Sequence, residues 1–157
     1  MDLTDEPPAT PMPLWKLLSF AASGDLSAQR IVVDHYQAET FERPDYEQVT
    51  FKAELWARIV VANSKSYADV PALINCLISR HDAALYLDED KEKANKVAVE
   101  MAALADLISE NCNDNSAIED FGICVDFPTN EIRREAAALK EHWMLSNFTL
   151  GQIVLSQ

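Results

Sequence analysis

Apolar residues recur at helical spacing along most of the chain. Val49, Ala53, Trp56 and Val60 fall four, three and four residues apart. Val70, Leu73, Ile74, Leu77 and Ile78 repeat the pattern, as do Val97, Met101, Leu104, Ala105 and Ile108. Ile132, Ala136, Leu139 and Trp143 form a last stripe. Each stripe marks an amphipathic helix with one buried face. Pro13 suits a first helical turn, where its missing N–H costs nothing, and Gly24 suits the left-handed backbone of a helix end. Pro44 biases Arg43 away from helical angles, and Asp45 with Gln48 forms an approximate capping box for the next helix. Helices are therefore predicted over about 13–23, 26–37, 46–63, 67–85, 88–111 and 130–146, the last capped by Thr129 or Asn130. Phe121 to Phe127 reads as a buried irregular segment, because a single strand would have no partner. The tail, Phe148 to Leu155, is apolar enough to dock on the body. The fold class is all-α.

The stripes are related by one offset. A shift of 41 residues places Lys52-Ala53 on Lys93-Ala94, Ala57 on Ala98 and Ala62 on Ala103. The same shift places Leu14-Trp15 on Leu55-Trp56 and Ala21 on Ala62. The repeating unit is thus a helix pair, and such units shelter their apolar faces on their neighbours in a short solenoid. Unrelated alanine-rich helices in an ordinary bundle also share such positions, so a bundle is the competing expectation. In the repeat reading Ala21, Ala62 and Ala103 allow close helix approach, and Trp15 and Trp56 fill the core between pairs.

At these residues the chain resembles Sel1-like repeats, relatives of the tetratricopeptide repeats. Lys52-Ala53 with Trp56 fits the opening of that motif. Asp90, Lys93 and Ala94 fit its Asp-x-x-Lys-Ala variant, and Ala102-Ala103 supplies its double alanine. Ala21, Gly24 and Ala28-Gln29 fit its close. The resemblance spans about residues 14–110, and no single unit carries the whole motif. Lys65 stands where a glycine is usual, the Gly-x-Gly loop is missing, and the Lys-Ala to Ala-Ala spacing is one residue longer. The resemblance implies antiparallel helix-pair repeats with a C-terminal capping helix, and a non-enzymatic scaffold or adaptor that binds a partner protein.

Composition narrows the function classes. At 157 residues one domain is expected, here 13–157 after a Pro-rich acidic leader over 1–12. Lys and Arg number 13 against 26 Asp and Glu, for a net charge of −13, which argues against direct nucleic-acid binding. With three glycines (Gly24, Gly122, Gly151) there is no phosphate-binding loop. Cys76, Cys112 and Cys124 are odd in number and form no C-x-x-C pair, which suits a reducing compartment. No apolar window approaches the roughly 18 residues of a spanning helix, and Met1 to Glu6 is acidic where a signal peptide is basic. A cytoplasmic protein that does not engage membranes is expected, its oligomeric state open.

Few residues suggest chemistry. His81-Asp82, with His35 and either Asp106 or Asp120, resembles the paired ligands of HD-type metal phosphohydrolases. Ala83-Ala84 follows where that family has Ile-Gly, and a polar helix end explains the dipeptide more simply. No motif calls for a metal or cofactor, and no catalytic residue is assigned. Asp88-Glu89-Asp90 is read as a helix N-terminal cluster that complements the dipole. The acidic surplus leaves a third class, an inhibitor that presents carboxylates to a nucleic-acid-binding protein. What remains is a polar surface: Arg30, Asp34 and Gln37 on the second helix, and Asn75, Ser79 and Asp82 on the fourth. Spacings of three and four put each set on one face. Arg30, Asp34, Asn75 and Ser79 are the candidate partner-binding residues.

Overall fold

The computed structural model describes residues 12–38, 46–112 and 130–155, and among these every regular element is helical. The helices are α1 (Leu14–Ala22), α2 (Leu26–Ala38), α3 (Tyr46–Ser64), α4 (Val70–Asp82), α5 (Lys91–Cys112), α6 (Asn130–Leu145) and α7 (Leu150–Leu155). A 3₁₀ turn (Tyr67–Asp69) leads into α4, and a π turn (Ala83–Leu87) continues it. The all-α expectation holds. The expected helix of 67–85 proves to be three conformations in series, tight, regular and wide. The capping box at Asp45, the segment Phe121 to Phe127 and the leader lie outside the described residues.

The helix ends follow local chemistry. Gly24 takes φ 101° after α1, where its N–H meets Ala21 O and the N–H of Asp25 meets Phe20 O. This double bond satisfies carbonyls that would otherwise be orphaned. Asp25 then caps α2, its carboxylate accepting from the N–H of Ala28 at 3.0 Å. Lys65 (φ 55°) ends α3, and Ser66 caps the following turn through Ala68 N–H at 3.2 Å. Asn147 (φ 55°) closes α6 in the same manner as Gly24. Thr149 and Gln152 then exchange backbone and side-chain bonds of 2.8 and 3.2 Å, a reciprocal box that starts α7.

Packing follows chain order. α2 lies between α1 and α3, α3 packs on α4, α4 on α5, and α5 on α6. α7 returns to α3, so the apolar tail docks on the body as the sequence implied. Leu150, Ile153 and Val154 are buried there. The stripes read from the sequence form one continuous core, with Val32, Leu73, Leu77, Met101 and Ala103 among its deepest members. Ala21 and Ala103 are buried, and Ala62 sits at the core edge beneath Gly151, where an added Cβ would stand 3.4 Å from the Cα of Ala62.

One assignment is overturned. Trp15 is 72% exposed, not core, whereas Trp56 is half-buried against the core and Trp143 is fully buried. The reason is helical phase. Leu17 and Ala21 turn α1 onto α2, and Trp15, two residues before Leu17, points away from that contact.

Candidate interaction surface and polar centre

The α2–α4 face is built by side chains that reach across α3. Arg30 on α2 grips Asp69 at the mouth of α4 bidentately, Nε to Oδ1 at 3.0 Å and Nη2 to Oδ2 at 2.9 Å. Burial opposes ionisation of Asp69, but hydrogen bonds from Arg30 and Ser64 hold its carboxyl below the ordinary range. Two turns further along α2, Gln37 Nε2 donates to Ala72 O at 3.3 Å and to Cys76 Sγ at 3.1 Å. Between these bridges lies a depression of about 180 Å³, lined by Arg30, Val33, Asp34, Ala57, Asp69 and Ala72 with Val60.

Two of the four candidate partner-binding residues, Arg30 and Asp34, line this depression. Asn75 and Ser79 do not line it. They follow Ala72 at helical spacing along α4, Asn75 exposed and Ser79 half-buried, with Ser79 Oγ donating to Asn75 O at 3.4 Å. The four residues therefore divide into a pair that lines the depression and a pair further along α4.

The residues proposed for a metal do not converge. His81 is buried with Nδ1 3.2 Å from Asp82 Oδ1, and His35 makes an edge contact with the Tyr36 ring. Among the described residues no group of three or more His, Cys, Asp or Glu is placed to hold a metal ion. Asp120 lies outside them. Burial raises the Asp106 carboxyl, with nearby Lys140 opposing that rise.

A second polar centre was not anticipated from the sequence. Arg58, on the buried side of α3, gives Nη1 and Nη2 to the two carboxylate oxygens of Glu100 on α5, at 2.8 and 2.9 Å. Its Nε donates to Glu54 at 3.2 Å, and Nη1 also donates to Val154 O on α7 at 2.9 Å. Arg80 on α4 completes the group, 3.1 Å from Glu54 and 3.5 Å from Glu100. Burial disfavours the Arg58 charge, yet Glu100 and Glu54 more than offset this and raise its pKa. Four helices thus meet on two arginines and two glutamates of zero net charge. The signal was present in outline: Glu54, Arg58 and Glu100 interrupt the apolar stripes at core-facing positions. Charges at such positions persist in folded proteins when paired.

Around this centre lies a second depression of about 180 Å³, lined by Thr50, Phe51, Glu54, Arg80, Ala83, Asp88 and Lys93. A wider cleft of about 400 Å³ separates Tyr67, Leu107 and Glu110 from Trp143, Met144 and Phe148. No described helix is long and apolar enough to cross a membrane.

Comparison with protein-family models, with curated proteins and with solved structures finds no match for this chain.

Proposed function

We propose that the chain is a short helix-pair repeat module, a degenerate Sel1-like scaffold, that holds a segment of a partner protein against its α2–α4 face. The reading is non-enzymatic and cytoplasmic, with no cofactor. Support for the repeat comes from geometry at the 41-residue offset. Gly24 and Lys65 both take left-handed backbone, and Asp25 and Ser66, one residue on, both cap the next turn. Val32 and Leu73, Val33 and Ile74, Tyr36 and Leu77, Ala53 and Ala94, and Ala57 and Ala98 are buried at both members of each pair.

The observation that carries the binding proposal is the bridging of α2 to α4. In helix-pair repeats, successive equivalent helices side by side form an extended binding face. Here Arg30–Asp69 and Gln37–Ala72 fix two such helices in register, leaving a depression with charges of both signs. An extended segment with a basic residue beside an acidic one would complement Asp34 and Arg30. The test is selection of a displayed random-peptide library on the full chain and on the double variant Arg30→Glu/Asp34→Lys. A motif enriched on the parent and absent from the variant is expected. No enriched motif, or the same one on both proteins, overturns the proposal.

A further inference from the structure

We infer that the depression between α3, α4 and the start of α5 is a binding site for a small α-amino acid, held as its zwitterion beside the Arg80–Glu54 pair. Among the described residues Thr50 Oγ1 is buried with no hydrogen-bond partner, and Thr50 lines this depression; beside it Arg80 Nε, with no aligned hydrogen bond, is held only by its ion pair with Glu54. Thr50 is 6% exposed. Leaving a buried polar group unmatched costs free energy, so the Thr50 hydroxyl on this cavity points to a partner supplied from outside.

Size and charge select the ligand. At about 180 Å³ the depression falls below the range of drug- or nucleotide-sized pockets and corresponds to about six water-sized groups. The lining carries Arg80 and Lys93 against Glu54 and Asp88, and the Arg58–Glu100 pair behind it is also balanced. A neutral lining on a chain of net charge −13 favours neither a cation nor an anion. It favours a molecule with both charges and no net charge. Arg80 Nε and Glu54 Oε1 stand 3.1 Å apart, so donor and acceptor are presented side by side. An α-amino acid carries its carboxylate and ammonium on one carbon and matches that spacing. A β- or γ-amino acid separates them and does not. Its carboxylate would accept from Arg80 Nε and the Thr50 hydroxyl, its ammonium would donate to Glu54, and a small side chain would rest on Phe51. The Phe51 ring is 66% exposed, an apolar wall open to solvent. The rim is the π turn of Ala83–Leu87, a wide-turn geometry that often marks functional positions in helices.

The test is calorimetric titration of the full chain with L-alanine, L-serine and L-threonine, alongside β-alanine, 4-aminobutyrate, propionate and ethylamine. Saturable binding of at least one α-amino acid is expected, with the other four weaker by about tenfold or more. Thr50→Val replaces a hydroxyl that has no partner by a methyl, so it should keep the parent's melting temperature while weakening binding about tenfold. Phe51→Ala, at an exposed position, should weaken binding without unfolding the chain. The inference is overturned by no saturable heat for any α-amino acid at tens of millimolar, by equal affinity for β-alanine, or by unchanged affinity in both variants.

Discussion

The molecule makes a bidentate arginine–carboxylate contact in two places, with opposite consequences. Arg58 and Glu100 meet where side chains are 7% and 8% exposed, and Arg30 and Asp69 meet where they are 48% and 14% exposed. At the buried site the arginine is fully used: it joins α3 to α5 and, through Val154 O, to α7. At the exposed site the arginine bridges α2 and α4 with one face in water. Low dielectric makes removal of a buried partner expensive, whereas solvent screens the exposed pair and leaves it open to exchange for a ligand charge. Both contacts are bidentate, and burial is what separates them.

The comparison breaks most directly at Arg58. Arg58→Ala leaves Glu54 and Glu100 buried beside the half-exposed Arg80 alone, and a loss of about 3–5 kcal/mol is expected. Urea unfolding of the variant against the parent measures it. A midpoint close to the parent's would show that this centre tolerates an unpaired charge, and the contrast with Arg30 would collapse.

A second effect concerns how α7 reaches the same centre. Ala62→Leu forces side-chain volume under Gly151 and is expected to cost about 1–3 kcal/mol. Gly151→Ala adds a methyl at ordinary contact distance within a helix, so its change should be slight. Thermal melts of both variants should therefore diverge, and equal melts would mean that α7 does not press on α3.

Cys76 sharpens the comparison on the α2–α4 side. Burial pushes its thiol up to about 12, against the hydrogen bond from Gln37. In a Cys112→Ser/Cys124→Ser background, thiol titration at pH 8 should find it unreactive until urea is added. Rapid labelling of the native protein would place the α2–α4 bridge among motions that open easily.

The smallest stability effect belongs to Arg30. Arg30→Ala should leave the melting temperature near the parent's at neutral pH while removing the peptide selectivity proposed for that face. The sign with pH is fixed by Asp69, whose carboxyl is held below its ordinary value in the fold. Its contribution is present above the ordinary carboxylate range and fades as pH falls through the lowered value. Parent and variant melts should converge in acid, and a difference that grew on acidification would reverse the assignment.

Legibility in the sequence followed the kind of information each feature needs. Helix positions were readable because a buried face repeats with the helical period, and Val49 to Ile108 keeps that period through three helices. Arg30 and Asp34 were readable as a shared face but not as the lining of a depression, since Asp69 and Ala72 join them from another helix. Trp15 was misjudged because residue size says nothing about phase: Leu17 and Ala21 occupy the inward side of α1. The Arg58 centre was missed because its partners lie 42 residues along the chain at Glu100 and 96 at Val154.

By itself the sequence determined what is local: where helices start and stop, which face of each is apolar, and the lack of phosphate-loop and C-x-x-C motifs. Caps, left-handed closures and periodic burial need only neighbours a few residues away, so side-chain chemistry at one position suffices to set them. Tertiary structure decided which charges are buried and which remain wet. It did so by bringing Glu54, Arg58 and Glu100 into one dry junction with Arg80 at its edge, and leaving Arg30 with Asp69 at the surface. That distinction rests on the dielectric around each pair, a property of the packed helices and not of any residue in the list.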